Sequence, residues 1–290
     1  MNYHGARGLV VFDCDDVLKP YTPTNVMVPL DRKAVKGMMI LRDKGFDSHS
    51  IASGKPVDYL FRVISETATR YGLDRRFFDD LHLVGENGGV VVHMLDGTVK
   101  EIYVAPQDGY RRLAEALGDD GRYELKRSIE QGSTPNGTWS QLRIGGVSGT
   151  VTHEPKRAIR TLLFNPAEAV EPARDAIQAA ISRYGLPFHL HYATTPYGGY
   201  IDIIQDGVDK TTGLKLGQEN NKIERERMRV IVDGANDLPM VEFVGAGSRA
   251  VGNAAPEVKT AVIGHGGFVA KGKIGAGVLE IAQQEKALFS

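Results

Sequence analysis

The sequence predicts an α/β fold, in which a parallel-sheet core carries an inserted α+β domain. Three observations predict it. Residues 9–12 form a short, unbroken apolar run of the kind that makes a strand buried on both faces of a parallel sheet. Helical patterns alternate with similar short runs before residue 88 and again near the end of the chain. Between them, residues 89–198 carry the hairpin and helix signals of an antiparallel α+β unit.

Composition excludes several classes of protein. The 290 residues are 42% hydrophobic and 24% charged, which is typical of a soluble globular protein with room for two domains. Lys plus Arg (35) balances Asp plus Glu (36), so no overall field attracts nucleic acid or a membrane surface. There is no apolar run long enough to cross a bilayer, and Cys14 has no partner for an internal disulfide. We therefore expect a cytoplasmic protein with neither nucleic-acid nor membrane partners.

The first half of the core is predicted to run strand, helix, strand, helix, strand. A helix is expected over residues 31–44, since Asp31 can cap it and Gly45 can end it. A strand over 47–52, a helix over 57–71 and a strand over 81–84 follow. The Asn-Gly-Gly sequence at 87–89 marks a sharp change of direction, which we interpret as the hinge into the inserted domain.

The inserted domain shows alternating hairpin and helix signals. The predicted strands cover residues 90–94, 98–104, 123–129, 139–144, 159–164, 188–192 and 200–204, and the predicted helices cover 106–117 and 167–184. Alternation along two strands puts Gln141 with Arg143 on one face, and His189 with His191 on one face. Either pair is a candidate for substrate binding, and a solvated sheet face is the alternative. Two histidines at this spacing can bind a metal, but with no third ligand nearby we do not predict zinc.

Carboxylates follow the first strand and a later one. Asp13, Asp15 and Asp16 end the first apolar run, at the edge of the sheet where ligands bind in α/β proteins. Crowded like charges repel unless a cation or a reaction uses them, so the stretch predicts a metal-assisted acidic site rather than a solvated turn. Asp233 and Asp237 follow another apolar run, at residues 229–232, in the same way.

Two further strand or loop ends carry groups suited to a phosphate. Ser53, Gly54 and Lys55 offer a hydroxyl, backbone N–H groups and a positive charge at a strand-to-helix turn, although a plain helix cap is the alternative. Lys210 precedes a predicted helix and could reach a phosphate at the sheet edge.

Four motifs stand in one order along the chain, and together they resemble a known family. They are DCDDV at 13–17, SGKP at 53–56, VDKTTG at 208–213 and DGANDLPM at 233–240. The set resembles the haloacid dehalogenase superfamily, specifically its Cof-type phosphatases. The resemblance implies a Rossmann-like hydrolase core at 1–88 and 199–290 and an α+β cap, which sets substrate specificity, at 89–198. Asp16 and Val232 stand where this family usually has Gly, and Lys55 stands where many relatives carry Arg.

The resemblance also implies a mechanism. The chain would be a Mg²⁺-dependent phosphomonoesterase acting on a small phosphorylated metabolite, such as a sugar phosphate, phosphoglycolate or a glycosyl-phosphoglycerate. Asp13 would attack phosphorus to give an aspartyl-phosphate, and Asp15 would protonate the leaving group and then activate water. Mg²⁺ would be bound by Asp13, the Asp15 main-chain carbonyl and Asp233, with Asn236 or Asp237 in or next to the coordination shell. Ser53 and Lys210 would bind the phosphoryl oxygens.

Two other activities remain open at this stage. A phosphomutase of the same superfamily would use the same residues and differ only in protecting its phospho-aspartate from water. A phosphate-accepting signalling module of receiver type is disfavoured, because such domains are short and lack an insert of about a hundred residues.

Overall fold

The computed structural model describes residues 8–22, 26–78, 80–95, 98–117, 123–131, 139–195 and 198–288. The chain divides into two compact units: the first runs up to Tyr103 and resumes at Asp209, and the second is Val104–Val208. The predicted α/β class, with a largely parallel core sheet and an α+β insert, is confirmed. No helix of the described residues has both the length and the apolar character that a membrane crossing requires.

Strands and helices alternate along most of the chain. The strands are β1 Leu9–Asp13, β2 Ser48–Ala52, β3 Leu81–Gly85, β4 Val90–Leu95, β5 Thr98–Val104, β6 Ser140–Ile144, β7 Val147–Glu154, β8 Arg160–Asn165, β9 Phe188–Thr195, β10 Gly198–Gln205, β11 Met228–Val232, β12 Ser248–Ala250 and β13 Phe268–Val269. The helices are α1 Arg32–Asp43, α2 Val57–Tyr71, α3 Asp108–Ala116, α4 Tyr123–Glu130, α5 Val170–Tyr184, α6 Thr211–Asn221, α7 Leu238–Val244, α8 Pro256–Gly264 and α9 Ile274–Gln284.

The sheet of the first unit positions the candidate site. Among the described residues its strands lie in the order β13-β12-β11-β1-β2-β3-β4-β5. Strand β1 is fully buried and pairs in parallel with β11 on one side and with β2 on the other, through partners such as Val11 with Val230 and Phe12 with Ile51. Parallel neighbours end at the same edge of a sheet, so this pairing brings the residues that follow β11, β1 and β2 side by side.

The helices of the first unit begin and end at the signals that the sequence contains. The Asp31 carboxylate caps α1, accepting from the Lys33 N–H at 2.7 Å, as predicted. Lys44 follows α1, and its ammonium donates to the Ala282 and Gln283 carbonyls at the end of α9 (2.8 and 3.0 Å). The same lysine therefore ends one helix and satisfies the last carbonyls of the helix packed against it.

The second unit is one layer of antiparallel sheet backed by helices, as predicted. Its strands lie in the order β6-β7-β8-β10-β9 within the described residues. Alternate residues of these strands, such as Leu142, Leu162 and Ile201, share a core with apolar residues of α3, α4 and α5. The Tyr110 hydroxyl, on α3, donates to the carbonyls of Ala158 and Ile203 (3.1 and 3.0 Å).

The units differ from the predicted boundaries of 1–88, 89–198 and 199–290. Strand β4 pairs antiparallel with β3 and so belongs to the core sheet, which is why the second unit starts near Val104 and not at residue 89. The turn at 86–88 reverses the chain within the first unit instead of leading out of it. At the other end, β10 pairs with β8 and β9, so the second unit extends to Val208.

One predicted strand is wrong. Residues 123–129 were expected to be extended, but they lie in helix α4. Leu125, Ser128 and Ile129 are its buried residues, and their spacing of three and four positions is that of a helix face in contact with a core. The short sequence pattern is compatible with a strand or a helix, and packing against the core of the second unit stabilises the helix.

Buried histidines in the core sheet link stability to pH. His49 lies on β2 and contacts the edge of the Phe12 ring, with 5.5 Å between ring centroids, and its Nε2 has no hydrogen-bond partner among the described residues. Burial lowers the pKa of His49 to about 3, and burial together with the neighbouring His93 lowers the pKa of His82 to about 4. Both side chains are therefore neutral in the folded protein at any pH above 5.

We expect His49→Leu to weaken the acid sensitivity of folding. In the unfolded chain His49 binds a proton below about pH 6.5, whereas in the folded chain it does not, so the parent loses stability as the pH falls from about 6.5 toward 4. The variant should lose about 1.4 kcal/mol less per pH unit in this window. Urea unfolding at pH 7 and pH 5 measures the difference, with exposed His265→Gln as the control. Equal pH dependence in the parent and His49→Leu would contradict the assignment.

Candidate active site

Three adjacent strand ends place the candidate site residues. Asp13 is the last residue of β1, Ser53 follows β2, and Asp233 follows β11. The pairing of β1 with both neighbours brings these residues to one edge of the sheet. Asp13 and Asp233 therefore come from neighbouring strands at the same edge of the sheet.

A tight group of carboxylates forms at this edge. One carboxylate oxygen from each of Asp13, Asp233 and Asp237 lies within 4.8 Å of the others. Burial, with the Asp237 carboxylate beside it, raises the pKa of Asp233 to about 7. Burial also raises the pKa of Asp13 well above its usual range. The positive charge of Lys210 lowers this pKa in part, while the negative charges of Asp237 and Asp233 raise it further. A divalent cation among these oxygens would relieve that repulsion, so the donor set fits a hard metal ion.

Lys210 is the counter-charge inside this group. Its ammonium donates to the Asp13 carboxylate and to the Asp237 carboxylate, the latter at 2.6 Å, and the lysine is 2% exposed. Burial opposes the charged form, but the two carboxylates outweigh it and raise the pKa of Lys210. The lysine is therefore a permanent positive charge beside Asp13.

The backbone around the site holds these side chains in place. The Asp237 carboxylate accepts from the N–H groups of Asp233 and Gly234, both at 3.3 Å, in the turn after β11. At the start of α6 the Asp209 carboxylate accepts from the Thr211 N–H at 2.6 Å. Gly88 has φ +97°, and a Cβ there would lie 1.8 Å from the Asp209 carbonyl oxygen. Only glycine permits this approach, which sets the position of the residue before Lys210.

The second aspartate of the first motif lies between two lysines. Lys19 donates to Asp15 Oδ1, and the Lys55 ammonium lies 3.2 Å from Asp15 Oδ2. Lys55 also donates to the Thr22 carbonyl. In this structure the positive charge of the SGKP motif is therefore directed at Asp15, whereas the sequence analysis predicted only that it faces a phosphate.

Ser53 and Gly54 form a compact turn with Asn87. The Ser53 hydroxyl accepts from the Lys55 N–H at 3.1 Å, and the Ser53 carbonyl accepts from the Asn87 N–H at 3.0 Å. A Cβ at Gly54 would lie 3.2 Å from Asn87 Oδ1, and the Asn236 amide reaches the same oxygen at 3.5 Å. Asn236 thus contacts Asn87, whereas Asp233 and Asp237 supply carboxylates to the acidic group.

The remaining predicted residues lie in the second unit. Arg143 and Gln141 are exposed on β6. His189 and His191 share a face of β9, as predicted, and pair in register with Ile204 and Asp202 of β10. His189 Nδ1 lies 3.3 Å from an Asp206 carboxylate oxygen, and His191 Nδ1 lies 3.8 Å from an Asp202 carboxylate oxygen. Each histidine is thus next to an acid of its own unit, and their predicted role in substrate binding stays a prediction.

Sequence reasoning missed three residues around the site: Lys19, Asn87 and Tyr59. Lys19 has no predicted role in the sequence analysis, although it directly follows the apolar pair Val17-Leu18. Asn87 was interpreted as part of a hinge, but its left-handed backbone (φ 52°) and burial belong to the site turn. Tyr59 gave no signal, because a tyrosine on an amphipathic helix normally belongs to the core.

Comparisons with known proteins show similarity in sequence and in fold. The family model described as haloacid dehalogenase-like hydrolase matches residues 149–263. A phosphoglycolate phosphatase of Methanothrix thermoacetophila is 36% identical over 108 residues, which is 37% of this chain and 46% of that protein. The chain thus matches less than half the length of this relative.

Solved structures are similar over nearly the whole chain. A haloacid dehalogenase-like hydrolase from Bacteroides thetaiotaomicron has a TM-score of 0.62 at 19% identity, covering 96% of this chain and 99% of that one. The sucrose-phosphatase of Synechocystis sp. PCC6803, solved with sucrose and phosphate, has a TM-score of 0.56 at 14% identity, covering 96% and 97%. At these identities the likeness establishes the fold.

We expect Lys210→Met to destabilise the protein. Removing the ammonium leaves the Asp13 and Asp237 carboxylates buried without their counter-charge, which should cost about 3–5 kcal/mol of unfolding free energy at neutral pH. Urea unfolding without divalent cations measures the loss. Lys215→Met, an exposed lysine on the same helix, is the matched control and should change stability little. A loss in Lys210→Met no larger than in this control would contradict the role of Lys210 as counter-charge.

Proposed function

We propose that this chain is a haloacid dehalogenase-like hydrolase, the family whose model matches residues 149–263, and that it is a phosphatase releasing inorganic phosphate from a small phosphate monoester. One observation carries the proposal: Asp13, Asp233 and Asp237 converge around the buried ammonium of Lys210, with Asp15 two residues after Asp13. Phosphoryl transfer needs a nucleophile, neutralisation of the phosphoryl oxygens and a proton for the leaving group, and these residues offer all three.

Asp13 is the proposed nucleophile. It ends a fully buried strand between two paired neighbours, so its carboxylate is held by the rigid part of the fold. An Asp13 oxygen bonds to phosphorus as the ester oxygen leaves, which gives an aspartyl-phosphate. Asp15 donates the proton that the leaving oxygen needs, and then takes a proton from the water that attacks phosphorus and breaks its bond to the Asp13 oxygen. Lys210 and Ser53 are the proposed binding partners of the phosphoryl oxygens.

Mg²⁺ is the proposed metal. Hard carboxylate oxygens favour it over zinc, and burial together with carboxylate repulsion raises the pKa values of Asp13 and Asp233, an effect that a divalent cation would oppose. Asp13, Asp233 and Asp237 would hold the ion with the Asp15 main-chain carbonyl, and Asn236 lies next to them in sequence. When bound, the ion supplies positive charge that neutralises the phosphoryl oxygens.

The proposed substrates are small phosphorylated metabolites. The relative from Methanothrix is named a phosphoglycolate phosphatase, and the Synechocystis structure is a sucrose-phosphatase. Those names suggest phosphorylated organic acids and sugars as the first compounds to test. A screen of phosphoglycolate, sugar phosphates and glycosyl-phosphoglycerates, with phosphate release as the signal, tests the proposal directly.

We expect Asp13→Asn to abolish phosphate release while the protein stays folded. An amide cannot replace the attacking carboxylate, so steady-state turnover should fall to the level set by slow deamidation back to Asp. Phosphate release and a far-UV circular dichroism spectrum measure the two properties. Asp43→Asn, at the exposed end of α1, is the control and should match the parent. Substantial turnover in freshly prepared Asp13→Asn would rule out Asp13 as the nucleophile.

We expect activity to require Mg²⁺. Excess chelator should stop phosphate release and added Mg²⁺ should restore it. Ca²⁺ should inhibit, because its larger and looser coordination shell misplaces the attacking carboxylate. Mg²⁺ should also raise the melting temperature of the parent but not of Asp233→Asn, which has lost one ligand. Full activity in chelator would exclude the proposed metal site.

A further inference from the structure

We infer that Lys19 is a positioning residue that holds the Asp15 carboxylate in the orientation needed for proton transfer; this inference rests on the proposed phosphatase function. The Lys19 side chain is fully buried, and its ammonium donates to Asp15 Oδ1. The sequence motifs that indicated the family do not include this residue. Its place in the site is therefore a feature that the structure assigns.

The hydrogen bonds of Lys19 leave no donor for a substrate. Besides Asp15, its ammonium donates to the Pro20 carbonyl at 3.1 Å and to the Thr22 hydroxyl at 3.2 Å. An ammonium group has three donors, and all three are used. Lys19 therefore acts through Asp15 and not by contact with a phosphate.

Hydrogen bonds surround Lys19 on its backbone and on its ammonium group. The chain folds back after β1, so that the Lys19 carbonyl accepts from the Asp16 N–H at 2.6 Å and the Lys19 N–H donates to the Cys14 carbonyl at 3.2 Å. The Thr22 hydroxyl that accepts from Lys19 also lies 3.1 Å from the hydroxyl of buried Tyr59 on α2. A charged group with fixed partners on every side holds its neighbour in one rotamer.

Lys55, the other lysine beside Asp15, is somewhat more exposed, with 10% of its side chain accessible against 0% for Lys19. Its ammonium lies over the rings of Tyr59 and Tyr21, at 4.6 and 4.8 Å from their centroids, and the Tyr21 side chain is 61% exposed. Lys55 is thus the partner on the solvent side of Asp15, and Lys19 is the partner on the protein side. Loss of Lys19 leaves Asp15 with one cation, so the carboxylate is still paired but no longer fixed.

The orientation of Asp15 matters in both steps of the proposed reaction. In the first step the Asp13–phosphorus bond forms, the bond from phosphorus to the ester oxygen breaks, and the Asp15 proton goes to that oxygen. In the second step a water oxygen bonds to phosphorus, the Asp13–phosphorus bond breaks, and Asp15 takes the water proton. An aryl leaving group such as p-nitrophenolate needs no proton, so it isolates the second step.

The test is a burst experiment on Lys19→Met with p-nitrophenyl phosphate, in the presence of Mg²⁺. We expect p-nitrophenolate to appear rapidly in an amount close to one per active site, followed by turnover roughly 100-fold slower than in the parent, because only the water-dependent step has lost its positioned base. With glycerol 2-phosphate, whose leaving alkoxide needs a proton, the variant should show slow turnover and no burst. Lys36→Met, an exposed lysine on α1, is the control and should match the parent on both esters.

Each outcome decides between specific readings. Equal turnover of Lys19→Met and Lys36→Met overturns the inference, as does a loss of turnover on p-nitrophenyl phosphate without a burst, which a merely structural role would produce. If Lys19→Met does not fold by circular dichroism, Lys19→Gln is read by the same criteria. Failure of the parent to release phosphate from either ester, or from the metabolites of the screen, refutes the proposed phosphatase function instead.

Discussion

The candidate site depends on one buried ammonium among buried carboxylates. Parallel pairing of β1 with β11 and β2 brings acidic residues together at one edge of the sheet, where burial, and after it repulsion between the carboxylates, raises the pKa values of Asp13 and Asp233. Lys210 offsets part of that repulsion from the start of α6, in a segment distant in sequence. The charge balance of the site therefore couples the two segments of the first unit, because Asp13 lies in the first segment whereas Lys210, Asp233 and Asp237 lie in the second.

Much of this arrangement was predictable from the sequence, for reasons that are local. Two apolar runs end in carboxylates, at residues 9–13 and 228–233, and such runs indicate parallel strands with a polar end. Both runs can be recognised without knowing any tertiary contact. The cap at Asp31 is equally local. Where the prediction was wrong, the deciding interaction was not local. Residues 123–129 become a helix because Leu125 and Ile129 face a core built from other strands, and 90–95 join the first unit because they pair with β3.

The residues that sequence reasoning missed have the same explanation. Lys19 and Asn87 belong to the site through contacts with Asp15 and with the turn at Ser53, and both partners are defined by where strands end in space. A lysine in a loop and an asparagine before two glycines have ordinary surface explanations, which no spacing rule excludes. Only the burial of both side chains, at 0% and 5% exposure, separates them from such residues.

The close approach of Gly88 to Asp209 has a consequence for sequence variation. The reversal after β3 and the segment leading into α6 meet backbone to backbone at this point, without a side chain between them. Any larger residue at position 88 would push the Asp209 carbonyl outward and carry the neighbouring ammonium away from its carboxylates. Gly88, which has no side chain, is thus as restricted in identity as Lys210 and its carboxylate partners. A mutational scan should find position 88 intolerant to every substitution.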